Sequence, residues 1–104
     1  MTALIVLTTL PDDGQKTDEL ARVLIEERLA ACINVHGPMT STYRWKGRIE
    51  REAERQLVIK TTRERLDALR VRLQELHPYE LPEFLVVDAN GSDPYLDWIK
   101  EATR

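Results

Sequence analysis

Residues 41–61 of this chain read STYRWKGRIEREAERQLVIKT, and this stretch decides the fold. Lys46-Gly47 is typical of a tight hairpin turn, because glycine readily adopts the positive φ that such turns require. The turn joins a β segment from about Cys32 to Trp45 with a return strand from Arg48 to about Thr61. The return strand begins with alternating charges and ends in an apolar run. We therefore expect the inner end of the hairpin to lie in the core and its outer end to project.

Apolar patterns on both sides of the hairpin give the order β-α-β-β-α-β with a closing helix. The continuous apolar runs 3–7 and 84–87 predict strands buried on both faces. Helices are predicted from apolar residues spaced three and four apart: Leu20, Val23 and Leu24, then Leu66, Leu69, Leu73 and Leu76, then Tyr95, Leu96, Trp98 and Ile99. This order is typical of an α+β, ferredoxin-like sandwich with a four-stranded antiparallel sheet.

Local signals predict where these elements begin and bend. They are capping boxes at Asp12 with Gln15 and at Thr61 with Glu64, an N-cap at Asp93 followed by Pro94, and a bulge or edge position near Gly37-Pro38. A sheet that helices cover on one side must hide its other face or leave it polar. The two long strands therefore predict oligomerisation through the sheet and the hairpin.

Length, charge and cysteine content limit the class of protein. A chain of 104 residues predicts one domain over residues 1–104. The net charge of −3 argues against nucleic-acid binding, which needs a concentrated basic face. No apolar run is long enough for a membrane span, and residues 1–10 do not resemble a signal peptide. With a single cysteine, Cys32, these features predict a cytoplasmic protein.

The segment His77-Pro78-Tyr79-Glu80-Leu81-Pro82-Glu83 is the strongest local signal for a site. Two prolines restrict the backbone between them, which favours a preorganised binding surface. The imidazole of His77 can ligate a metal, and the two glutamates could add hard oxygen ligands. The alternative is a rigid helix-to-strand connector, in which His77 caps the preceding helix and Tyr79 packs.

Two further residues have the chemistry of soft or borderline metal ligands. Cys32, at a helix-to-strand junction, is either a ligand for copper or zinc or a small buried hydrophobe. His36, beside Gly37, is either a third ligand or an ordinary turn histidine. The spacing of Cys32, His36 and His77 matches no zinc signature.

One face of the hairpin combines aromatic and acidic residues. If Lys46-Gly47 is the turn, Tyr43 lies opposite Glu50 and Trp45 opposite Arg48, which could stack on the indole. By period two, the same face carries Glu50, Glu52, Glu54, Gln56, Val58 and Lys60. The face is either an aromatic-floored polar cleft or a solvated hairpin with cross-strand charge pairs.

Lys60 follows an apolar run, so its ammonium group requires an anionic partner near the core. That partner is either a ligand carboxylate or phosphate, or a neighbouring glutamate. Motifs for catalysis, such as a serine elbow, a phosphate loop, HExxH or CxxC, are absent from the sequence. We therefore expect a binding protein rather than an enzyme.

Five blocks along the chain together resemble the CutA family of divalent-cation tolerance proteins. They are residues 28–34 (RLAACIN), 41–47 (STYRWKG), 60–62 (KTT), 77–83 (HPYELPE) and 95–98 (YLDW). The resemblance implies a ferredoxin-like subunit that assembles into a homotrimer, with the hairpin reaching across to its neighbours. It also implies binding of divalent metal ions, copper especially. We expect no organic cofactor.

The resemblance also implies roles for individual residues. His77 becomes the expected metal contact, with Cys32 and Glu83 as further candidate ligands. Residues expected to line a cleft between subunits are Tyr43, Trp45, Glu54, Lys60, Tyr79 and Glu83. Some family members carry another cysteine near the end of the first strand, where this chain has Thr8, Thr9 and Leu10.

The predicted function is therefore a trimeric, copper-binding protein of divalent-cation tolerance. Two alternatives stay open. The first is a small-effector-binding regulator, because the implied architecture is similar to that of trimeric nitrogen-regulatory signalling proteins. The second is a structural trimer that anchors a partner.

Overall fold

The structure is a computed structural model that describes residues 2–104. Its elements are β1 (Ala3–Pro11), α1 (Gly14–Glu26), β2 (Cys32–Trp45), β3 (Arg48–Thr61), α2 (Arg63–Leu76), β4 (Leu85–Ala89) and α3 (Asp93–Ala102). The four strands form one antiparallel sheet in the order β2-β3-β1-β4. The predicted α+β fold is confirmed. Within residues 2–104, no helix is long and apolar enough to cross a membrane.

The hairpin of β2 and β3 has the predicted register. Lys46 and Gly47 have φ values of 50° and 80°, so both turn residues lie in the left-handed region that hairpin turns favour. Tyr43 consequently faces Glu50 across the ladder, and Trp45 faces Arg48. The predicted bulge is also present: the register shifts between His36 and Met39, on either side of Gly37-Pro38.

The core lies between one face of the sheet and helices α1 and α2. Its fully buried strand residues include Leu4, Val6, Leu57 and Ile59, which alternate along β1 and β3 as a sheet face requires. They pack against the leucine stripe of α2 and the apolar side of α1. A smaller cluster joins Ala3 to Leu96 and Ile99, so α3 packs near the start of β1.

The prediction that residues 84–87 form a buried strand is wrong for the single chain. The strand begins at Leu85, and the side chains of Leu85, Val86 and Val87 are 53%, 41% and 48% exposed. The reason is topological, because β4 pairs only with β1 and forms an edge of the sheet. An apolar run predicts that something covers the strand, but not that the same chain does.

Each of the three predicted helix caps is one residue out: those of α1 and α2 were placed one residue too early, and that of α3 one residue too late. Asp13 rather than Asp12 caps α1, and its carboxylate accepts a 3.1 Å bond from the backbone N–H of Lys16. Asp12 instead pairs with Arg55 at 2.7 Å.

The caps of α2 and α3 are Thr62 and Ser92, and neither makes a side-chain capping bond. Thr61 is the last residue of β3, and its hydroxyl donates to the carbonyl of Leu29 at 2.8 Å. The Thr61–Glu64 capping box is therefore wrong, because the threonine hydroxyl is used for a tertiary contact. Asp93 is the first residue of α3 rather than its cap.

Candidate functional site

The imidazole of His77 connects the end of α2 to the first strand. Its Nε2 lies 2.8 Å from the carbonyl oxygen of Thr9 and 3.3 Å from the hydroxyl of Thr8. Its Nδ1 accepts a 3.1 Å bond from the backbone N–H of Tyr79. Because Nδ1 accepts and the carbonyl can only accept, the geometry fixes the neutral tautomer with the proton on Nε2.

The surroundings of His77 favour this neutral form. The residue is buried, and desolvation lowers the pKa of the imidazole, although the Thr9 carbonyl and the charge of Glu54 oppose the shift. Since both ring nitrogens are already hydrogen-bonded, a metal could bind His77 only by displacing the Tyr79 N–H or the Thr9 carbonyl. Metal contact at His77 stays a prediction.

Glu54 is a buried carboxylate at the middle of the hairpin. Glu54 is only 6% exposed, and the phenol of Tyr79 donates a 2.6 Å hydrogen bond to its Oε2. Among residues 2–104, no lysine, arginine or histidine forms a salt bridge with it. Burial and then the hydrogen bond to the carboxylate raise the pKa of Tyr79, so the phenol keeps its proton.

A cavity of about 580 Å³ opens beside this pair, and we call it the corner cleft. Its walls are Thr9, Tyr43, Trp45, Glu54, Tyr79, Glu80, Leu81, Pro82 and Glu83. One carboxylate oxygen of Glu83, Oε2, is buried and has no hydrogen-bond partner within the described part of the chain. The cleft is therefore lined by three carboxylates, of Glu54, Glu80 and Glu83, that no salt bridge within residues 2–104 neutralises. Glu80 is exposed, whereas Glu54 is buried and Glu83 has a buried oxygen.

Aromatic side chains from the hairpin form the other wall of the corner cleft. Tyr43 and Trp45 are 40% and 37% exposed. The pKa of Tyr43 is raised, first by desolvation and then by the charges of Glu52 and Glu50. Stacking of Arg48 on the indole is not observed: Lys46 Nζ lies over the Trp45 ring, 5.6 Å from its centre. The site thus combines negative charge with π faces, and both attract cations.

Lys60 lies outside the corner cleft of the single chain. It is six residues from Glu54 along β3, a separation of about 20 Å at the rise of a strand. Its Nζ donates to the phenol of Tyr95 at 3.4 Å and lies 5.7 Å from the centre of that ring. The predicted glutamate partner is therefore replaced by an aromatic one from α3. A role for Lys60 between subunits stays a prediction.

Cys32 and His77 lie at different positions along the sheet. Cys32 pairs with Lys60, whereas Thr9, the contact of His77, pairs with Gln56 four residues away. Cys32 is partly exposed and free. Across residues 2–104, no group of three or more histidine, cysteine, aspartate or glutamate side chains is arranged to hold a metal ion. A site with both Cys32 and His77 as ligands would need more than one chain.

Sequence reasoning missed the two threonines that hold the segment 77–83. Thr8 and Thr9 contact His77 across 69 and 68 residues, respectively. Thr8 is fully buried in a strand whose other inward residues are apolar. That polar interruption is the one signal in the sequence that pointed to a buried polar partner.

The chain is similar over nearly its whole length to known divalent-cation tolerance proteins. The family described as CutA1 divalent ion tolerance protein matches residues 4–102. The divalent-cation tolerance protein CutA of Thermus thermophilus is 41% identical over 100 residues, which cover 95% of this chain and 96% of that protein. The crystal structure of CutA from Xylella fastidiosa gives a TM-score of 0.92 at 41% identity, covering 98% of both chains. CutA1 from Oryza sativa gives 0.93 at 35% identity, covering 100% of this chain and 95% of that one.

Removing the Tyr79 hydroxyl should destabilise the fold. In Tyr79→Phe the buried Glu54 carboxylate loses its donor, and we expect a loss of about 1–3 kcal/mol in the free energy of unfolding. Tyr95→Phe is the matched control, because its hydroxyl is bonded at the surface, and it should cost less than about 0.5 kcal/mol. Urea denaturation measures both. Equal losses would show that the Tyr79–Glu54 bond contributes nothing special.

The lowered pKa of His77 predicts acid sensitivity. The unfolded chain binds a proton near pH 6.5 while the folded imidazole does not, so this contribution to stability is present above that pH. It is lost as the pH falls through the lowered folded-state pKa. Urea midpoints measured from pH 8 to pH 5 should fall for wild type and for His36→Gln, the exposed histidine control. The midpoints should fall less for His77→Gln. A fall with pH as steep as that of wild type would contradict the assignment of the lowered pKa to His77.

Proposed function

Because the chain belongs to the CutA1 family of divalent ion tolerance proteins, we propose that it acts as a homotrimer that binds divalent metal ions, copper among them. Its role is then tolerance of those ions by binding, not catalysis. The observation that supports this proposal most directly is the uncompensated negative charge of the corner cleft. We also propose a cytoplasmic location, on the ground of the single free cysteine.

The carboxylates of Glu54 and Glu83 supply the attraction for a metal ion. A buried carboxylate is costly unless a charge or several donors compensate it, and Glu54 has one phenol donor. A divalent cation between the two glutamates would neutralise both. Carboxylate oxygens suit hard ions, whereas copper also favours imidazole. Exchange of the Tyr79 N–H at His77 Nδ1 would add that ligand, and a second subunit would supply others.

Exposed apolar residues on the open side of the sheet support the homotrimer. Leu85 pairs with Leu7, and Val87 pairs with Ile5, so these four side chains share the face that α1 and α2 leave uncovered. Apolar surface of this kind on an edge strand is normally covered by another chain. The projecting outer half of the hairpin gives each subunit a means of reaching its neighbour.

A second candidate function is the binding of a small effector. The corner cleft is far larger than a single ion, and three of the residues that line it are aromatic: Tyr43, Trp45 and Tyr79. Such mixed apolar and polar linings are typical of sites for organic molecules. A structural trimer that anchors a partner is the third candidate, and it requires that the cleft bind neither metal nor metabolite.

The trimer is tested by light scattering with size-exclusion chromatography. At micromolar concentration, wild type should have three times the 12.1-kDa mass of the chain. Val87→Glu should shift the protein to monomer, because a charge would be buried on the shared face. Val71→Glu is the matched control, since Val71 is 62% exposed on α2, and it should stay trimeric. A monomeric wild type would contradict the proposal.

Metal binding is tested by calorimetric titration with Cu²⁺ and Zn²⁺. Glu83→Gln, which keeps the shape and removes the charge, should weaken binding about 10- to 100-fold. Glu75→Gln, an exposed glutamate of α2, is the control and should bind as wild type does. The same titration of His77→Ala determines whether the imidazole is a ligand. Equal affinity in wild type and Glu83→Gln would remove the corner cleft from the metal site.

A further inference from the structure

We propose that the corner cleft also binds a small organic cation, a molecule whose ammonium or guanidinium groups pair with Glu54 and Glu83 while its carbon chain lies against Tyr43 and Trp45. This inference rests on the second function proposed above and names the chemical class of that effector. It concerns the same cleft, but it does not depend on a metal.

The first support is the charge of the site. Glu54 is more than nine-tenths buried, and Glu83 has a buried oxygen without a donor. No salt bridge from any residue in the range 2–104 reaches either carboxylate. A ligand that brings N–H donors with positive charge would satisfy both. An anion or a neutral molecule would leave the negative charge of the carboxylates uncompensated, so the charge of the cleft favours a cation over those classes.

The second support is the aromatic lining. A bare or hydrated metal ion uses oxygen and nitrogen ligands and gains little from an indole or a phenol ring. An alkylammonium or guanidinium ion gains from these rings in two ways. Its charge is attracted to π faces within about 6 Å, and its methylene groups make apolar contacts with the rings. The cleft already shows this preference at its rim, where the ammonium group of Lys46 lies over the ring of Trp45.

The third support is size and preorganisation. A volume of about 580 Å³ accommodates a molecule of several carbon atoms with two charged ends. The wall that carries Glu83 is held in place before any ligand arrives, because His77 bonds to Thr9 and Tyr79 bonds to Glu54. A preformed site loses little conformational entropy on binding. Two carboxylates in one cleft favour a dication over a singly charged amine.

The chain allows a direct optical test, because its two tryptophans are Trp45 and Trp98. Trp98 is 46% exposed on α3, outside the corner cleft. In a Trp98→Phe background, all indole fluorescence therefore comes from the wall of the cleft. Titration with 1,4-diaminobutane at constant ionic strength should give a saturable change in that fluorescence. The neutral 1,4-butanediol, of the same length, should give none.

Two double variants complete the experiment. Adding Glu83→Gln to Trp98→Phe should weaken the diamine at least about tenfold. Adding Glu75→Gln instead should leave the affinity unchanged. Equal responses to diamine and diol, or equal affinity with and without Glu83→Gln, would overturn the inference. So would the absence of any response, which is the outcome if an arginine of a neighbouring subunit already occupies the cleft. Circular dichroism checks that each variant is folded.

A parallel titration of the same Trp98→Phe protein with Cu²⁺ separates this inference from the metal proposal. Copper binding without a response to the diamine would overturn the organic-cation inference and leave the metal function standing. A diamine response without copper binding would support the organic cation and contradict the metal function.

Discussion

The hydrogen bond from the Tyr79 phenol to the buried Glu54 carboxylate connects two parts of the chain that are distant in sequence. Tyr79 belongs to the proline-restricted segment after α2, and Glu54 belongs to the middle of the long hairpin. With the bond between His77 and Thr9, it holds residues 77–83 against the sheet. The corner cleft is lined by residues of this segment and of the hairpin, together with Thr9 of β1.

This arrangement explains why a connector carries the site. The backbone of residues 77–83 could simply have joined α2 to β4, which is the bland interpretation of two prolines at the end of a helix. The structure shows that the connector also places two acidic side chains beside aromatic rings of the hairpin. The buried carboxylate of Glu54, on the hairpin side of the cleft, has one hydrogen-bond donor, which lowers the stability of the single chain. That loss is reduced by any cation that enters the cleft, which links ligand binding to stability.

Much of the fold could be predicted because local physics determines it. Gly47 sets the turn, and the turn sets the register, so the pairing of Tyr43 with Glu50 followed without knowledge of the tertiary structure. The helix starts were one residue out because Asp12 and Thr61 make tertiary contacts instead of caps. The burial of β4 was wrong because hydrophobicity predicts covered surface without identifying the chain that covers it. The family resemblance is confirmed over residues 4–102.

The site was predicted in part for the same physical reasons. Period-two alternation placed Glu54 on the face of Tyr43 and Trp45, and the prolines indicated a fixed segment nearby. The alternation could not show that Lys60, on the same face, lies near α3 and pairs with Tyr95. Nor could it show that His77 turns inward to Thr9, because a contact across 68 residues leaves no periodic trace. Long-range polar contacts of buried side chains could not be predicted from the sequence.

We propose the corner cleft as the place where this protein binds cations. Anomalous diffraction at the copper edge, from crystals of the assembled protein grown with Cu²⁺, tests it most directly. We expect an ordered peak in the cleft, within coordination distance of a carboxylate oxygen of Glu83 or Glu54. Copper ordered only at the exposed His36 or at Cys32, with none in the cleft, would contradict it.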